Sequence, residues 1–207
     1  MATVSRSMQA IWMAVFVAIL AWSAIEPKDY ATWTLEVLPA IAAAAVLWFT
    51  RHRFPLTRML YLLILVHCMV LIVGGHYTYA EVPLFDWIRD AFGQERNNYD
   101  KLGHFMQGFV PAIVAREITI RKAVFVNAEW RNLFIVGLCM GISAVYELVE
   151  WVVALISDEA AEAFLGTQGD VWDTQSDMAF ALAGAILALI LLGRLHDRQM
   201  KSAGFVG

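Results

Sequence analysis

Two glutamates three residues apart, Glu147 and Glu150, stand inside the apolar run Leu133–Ile156. Carboxyl groups a turn or more inside a membrane helix need partners or a proton, and they face a bundle interior or a water-filled cavity. Neighbouring runs carry groups that match them. Asp100, His104 and Gln107 share a helix face at i, i+4 and i+7, Ser143 joins the two glutamates on theirs, and Asp173 and Asp177 share a third. At a rise of about 1.5 Å per residue, Glu150 lies about 9 Å below the end of its run at Ile156 and His104 about 6 Å below Asp100. Asp177 is one turn into its own run. Three consecutive helices therefore bring a histidine and several carboxylates to one depth, and short connections pack sequential helices together.

Four chemistries fit this set. One divalent metal ion, the candidate cofactor, would take ligands from His104, Glu147, Glu150, Asp173 and Asp177, since imidazole and carboxylate suit zinc, manganese or iron and an all-oxygen subset suits magnesium or calcium. Asp100, Lys101, Gln107, Ser143 and Asp170 would support those groups. Alternatively Glu147 and Glu150 form a catalytic acid/base pair, because burial and like charge push two carboxyl groups apart in acidity. A proton or cation pathway is the third reading and a polar core that fixes helix packing the fourth. The third is weakened by the first half of the chain, where His67 and His76 stand out and no matching half-site exists. Ordinary roles are open to several residues. Thr174 and Asp177 have the spacing of a helix cap, Asp100 and Lys101 can pair in solvent, and Pro111 can kink its helix. Walker, His-Glu-x-x-His and Gly-x-Ser-x-Gly motifs are absent.

The elements that must position these residues are membrane helices. Of 207 residues 60% are hydrophobic and 16% charged, and mean hydropathy is +0.60. A soluble domain carries about 25% charged residues. Spans of about 20 mostly apolar residues are expected at 8–25, 33–49, 59–75, 101–117, 132–156 and 175–193. The first run is longer than the usual signal-peptide core of about 7–15 residues, so it reads as an uncleaved helix. The basic residues orient the chain. With the N-terminus inside, Arg6, Arg51, Arg53, Arg58, Arg116, Arg121, Lys122, Arg131, Arg194, Arg198 and Lys201 are cytoplasmic, and Lys28, Arg89, Arg96 and Lys101 are outside. Two short helices belong to the outer face. Pro83–Phe92 puts Leu84, Ile88 and Phe92 on one side, and a second helix starts at Ser157 and stops at Gly166. Gly137 and Gly141 have the small-xxx-small spacing of a helix contact. Cys68 and Cys139 lie in apolar runs and read as buried hydrophobes. The formal charge of −4 leaves no general basic field for nucleic acid.

The segments Asp100-Lys101-Leu102-Gly103-His104-Phe105, Tyr146-Glu147-Leu148-Val149-Glu150-Trp151 and 166–178 (GTQGDVWDTQSDM) resemble the YjdF family of small bacterial inner-membrane proteins. The resemblance covers most of the chain. It implies an inner-membrane protein of this size and helix count, and it brings no activity. A more distant pattern is similar to VanZ-like membrane proteins, linked to glycopeptide-antibiotic resistance. Asp100, Lys101, His104, Glu147, Asp170, Asp173 and Gly184 follow that pattern, while Glu150 replaces a Gln and Asp177 an Asn. Both departures add an acid and favour a cation.

The expectation is one all-α membrane domain over 1–207, with six transmembrane helices, two short periplasmic-side helices and both termini in the cytoplasm. Its acidic pocket near the periplasmic face would serve an enzyme or ligand-binding protein of the cell envelope. Membrane lipids and a small envelope or lipid-linked molecule are the partners implied. A proton- or cation-coupled carrier and a scaffold are the alternatives, and oligomeric state is left open.

Overall fold

The computed structural model describes residues 5–156 and 167–206. Among the described residues there are seven helices and no strand: α1 (Arg6–Ser23), α2 (Tyr30–Thr50), α3 (Arg58–Tyr77), α4 (Pro83–Phe92), α5 (Tyr99–Arg121), α6 (Ala128–Ile156) and α7 (Asp173–Ser202). Local chemistry sets many of the ends. The Ser5 hydroxyl accepts from the Met8 amide at 3.2 Å, and Asp29 accepts from the Thr32 amide, so both side chains satisfy N–H groups that a helix start leaves open. Pro83 occupies the first turn of α4, where its missing N–H costs nothing. The expected bounds of α4 are the observed ones. The second short helix expected from Ser157 to Gly166 lies outside the described residues.

Among the described residues five helices, α1, α2, α3, α6 and α7, are long and apolar enough to cross a membrane. Their exposed surfaces carry large apolar side chains such as Leu62, Leu138, Val145 and Ile190, which is what lipid contact requires. α5 has 23 residues but carries Asp100, Lys101, His104, Gln107, Arg116 and Glu117. It can do so because it is enclosed, packing against α3, α6 and α7. Protein rather than lipid surrounds its polar groups. α6 and α7 run beyond the spans expected from hydropathy, starting at Ala128 and continuing to Ser202. The apolar window marks where a helix can meet hydrocarbon and says nothing about where the helix stops.

α5 and α7 form the closest pair. A Cβ at Gly108 would collide with the Ala181 backbone, and one at Gly184 with the Phe105 backbone. Small residues let the two backbones meet, as in other membrane helix pairs. Beyond this contact the seam is apolar: Ala112, Ile113, Ala185 and Ala188 are fully buried.

At the end of the seam away from the acidic cluster, the fully buried Glu117 ties three segments together. It accepts from Arg121 at 2.8 Å, from His196 Nε2 at 2.9 Å and from the Thr57 amide at 3.2 Å. Arg116 donates to His196 Nδ1 at 3.1 Å and to Asp197 at 2.8 Å. A guanidinium can only donate, so Nδ1 of His196 is the acceptor and Nε2 carries the hydrogen. Arg121 also lies over the rings of Phe54 and Phe205, at 3.6 and 3.9 Å.

At the other end, α3 stops on Thr78 in the left-handed conformation (φ 58°), and Tyr79 follows with φ 55°. This turn drives the Tyr79 ring between Gly74 of α3 and Gly103 of α5, where a Cβ on either glycine would meet it.

Candidate functional site

The site is assembled from the first turns of α5 and α7 and the C-terminal half of α6. Asn97, fully buried, fixes the entry to α5. Its side chain donates to the Val82 carbonyl and to Asp86, each at 3.0 Å, and accepts from the Tyr99 amide at 3.1 Å. The Gln168 side chain brackets the Asn97 backbone, accepting from its N–H at 2.9 Å and donating to its carbonyl at 2.8 Å. Gln168 and Gly169 both take positive φ, which turns the chain sharply into α7. The start of α7 is thus pinned to the start of α5, and their acids face one another.

The sequence-derived residues separate into two groups. In the first, four aspartates surround two cations. Lys101 Nζ donates to Asp173 at 2.8 Å and to Asp177 at 2.9 Å, with Asp100 at 3.6 Å. Arg96 pairs with Asp100, with Asp173 at 2.5 Å and with Asp170 at 3.3 Å. Burial works against the Arg96 charge, but the hydrogen bond to Asp173 and the charges of Asp100, Asp173 and Asp177 outweigh it and raise its pKa above the ordinary value. Asp100, Asp173 and Asp177 approach one another closely enough to hold a metal ion, yet the Lys101 ammonium already stands among them.

In the second group, His104 lies between two carboxylates. Its Nδ1 is 3.7 Å from Glu147 Oε1 and its Nε2 is 3.9 Å from Asp177 Oδ2. Gln107 Oε1 is 3.3 Å from Nδ1. Asp177 serves both groups, with one oxygen on Lys101 and the other toward His104. Glu147 Oε1 and Ser143 Oγ are buried and make no hydrogen bond among the described residues. His104, Glu147 and Asp177 each offer a ligand atom, all within 4.8 Å of one another. Glu150 lines a cavity of about 190 Å3 together with His104 of this trio and with Glu36, His67, Tyr79 and Tyr146. Among the described residues no lysine or arginine pairs with Glu36, Glu147 or Glu150.

Sequence reasoning missed two members. Arg96 sits four residues before Asp100, a spacing that could have flagged the pair. Glu36, 4% exposed, accepts from the Tyr146 hydroxyl at 2.8 Å. A single acid in the otherwise uncharged run 33–49 was its signal.

The helical architecture and this site can be set beside known proteins. A family model described as "Predicted membrane protein (DUF2238)" matches residues 8–198. The chain belongs to this family. Within DUF2238 it resembles the inner membrane protein YjdF of Escherichia coli (strain K12), with 48% identity over 188 residues, 91% of this chain and 90% of that protein. No solved structure matches the chain. Both groups of site residues lie inside the part that DUF2238 covers.

Proposed function

We propose that the chain is a multi-pass inner-membrane protein of the cell envelope, an enzyme or ligand-binding protein that holds one divalent cation between His104, Glu147 and Asp177. The observation that carries this reading is that trio. Three helices each present a buried ligand atom within 4.8 Å of the others, and one of these atoms, Glu147 Oε1, has no hydrogen bond among the described residues. Around a metal with bonds of about 2.0–2.2 Å, ligand atoms lie roughly 3–4.4 Å apart. One ion takes one nitrogen of His104, and the trio's ligand atoms, all within 4.8 Å of one another, need close by only a few tenths of an ångström to come within that range. A bound cation would polarise a guest in the adjoining cavity, and Glu150 on the cavity wall would act as general base.

The same reading takes α5 as a sixth span and puts both termini in the cytoplasm. The enclosure of α5 supports the first point, and the basic residues at the Glu117 end support the second. The apolar seam between the acidic cluster and Glu117 supports a site open to one face over a carrier.

Metal content measured by mass spectrometry on gently purified wild type, His104→Ala and Glu147→Gln tests the reading. Near-stoichiometric metal in wild type that falls at least about tenfold in both variants is expected. Wild type that stays metal-free after reloading would overturn it.

A further inference from the structure

The cavity has an acidic lining and a side entrance. α2 packs on α3, and α6 on α5 and α7. The first pair meets the second across the cavity through the Tyr146 hydroxyl on Glu36. Pro39 and Ile142, which line the cavity, are both exposed, so its rim reaches the lipid-facing surface. A shallow apolar groove runs along the outer face of α6 past Gly137, Gly141 and Val145, and it shares Ile142 and Tyr146 with the cavity. A Cβ at Gly137 or Gly141 would meet nothing within 4 Å, so the groove owes its depth to the missing side chains.

We infer that this entrance admits a membrane lipid with an ammonium headgroup, its chain along the α6 groove and its nitrogen between Glu36 and Glu150. The chemistry of the lining selects that head. Glu36 and Glu150 are joined by two further polar groups, the Tyr79 hydroxyl and His67 Nε2, the second of which makes no hydrogen bond among the described residues. An ammonium carries three donors and no acceptor, so this acceptor-rich wall complements it, and the Tyr146 ring adds a face for a cation. No lysine or arginine lines the cavity, so a head whose only charge is negative finds no counter-charge there. Depth agrees. Glu36 lies six residues from the start of α2 and Glu150 six from the end of α6, about 9 Å along each helix. α6, with 29 residues, is about 43 Å long against a hydrocarbon core of about 30 Å, so Glu150 falls close to the boundary where a lipid head begins.

The inference names the ligand class of the site proposed above and rests on that reading. Its test uses full-length protein in nanodiscs of equal phosphatidylethanolamine and phosphatidylglycerol, released for native mass spectrometry, with metal content read on the same samples. Wild type should carry ethanolamine lipid at about fivefold over the bulk ratio. Glu36→Gln, which removes an acid outside the metal trio, and Gly141→Leu, which fills the groove from outside, should both return to the bulk ratio with metal content unchanged. Wild type showing no preference, or a preference for the glycerol lipid, would overturn the inference whatever its metal content. So would a dimer abolished by Gly141→Leu, because the groove would then hold a second copy of the chain. Metal lost from wild type with the lipid preference intact would strike the metal reading instead.

Discussion

Lys101 on α5 and Asp177 on α7 form an ion pair at 2.9 Å with side chains 8% and 3% exposed, and the second Asp177 oxygen points to His104. One aspartate thus joins an ion-paired network to a histidine whose other carboxylate neighbour, Glu147, pairs with no lysine or arginine among the described residues. The network locks α5 against α7. The histidine side keeps a buried carboxylate oxygen, Glu147 Oε1, with no hydrogen bond among the described residues.

Lys101→Met removes the cation from three buried aspartates. Breaking one partner of a buried pair costs about 3–5 kcal/mol. The variant should lose most folded protein at neutral pH, and adding Asp177→Asn should restore part of it. Fluorescence-detected size-exclusion chromatography of the single and double variants measures this. Equal recovery of Lys101→Met and wild type would show that the network is dispensable.

Gly108→Ala sends a methyl group into the Ala181 backbone, whereas Gly137→Ala sends one into open space. Overpacking costs about 1–3 kcal/mol. The first substitution should lower the midpoint of thermal unfolding clearly and the second should leave it near wild type. A reversed order would contradict the packing of α5 on α7.

His196→Gln retains an acceptor for Arg116 and a donor for Glu117, while His196→Leu leaves each of these buried charged groups one hydrogen bond short. The leucine variant should be less stable by about 1–3 kcal/mol and the glutamine variant close to wild type. Thermal unfolding of the purified variants separates the two.

Topology is open to a labelling test because Cys68 and Cys139 are both buried. A cysteine introduced at Asp90 should react with an impermeant maleimide in spheroplasts, and one at Arg53 should react after the membrane is opened. The opposite pattern would invert the orientation.

Much of this arrangement is legible in the sequence, for physical reasons. Apolar runs report lipid contact, so α1, α2, α3, α6 and α7 stand out. Amphipathic spacing after a proline defines Pro83–Phe92 to the residue. The periodicity of Glu147 with Glu150, and of Asp173 with Asp177, places them on buried faces. Pairings between distant segments are not legible. Glu117 meets His196 across 79 positions, and Glu36 meets Tyr146 across 110. Nor does spacing show that Lys101 turns inward; beside Asp100 it reads as a solvated pair until α7 is brought against it.

The Tyr79 ring between Gly74 and Gly103 has a historical consequence. Tyr79 could shrink first at the price of a void, and either glycine could then gain a side chain. A side chain at 74 or 103 could not come first, because the ring already fills that space. The order in which these three positions can change during descent is therefore fixed by one left-handed turn.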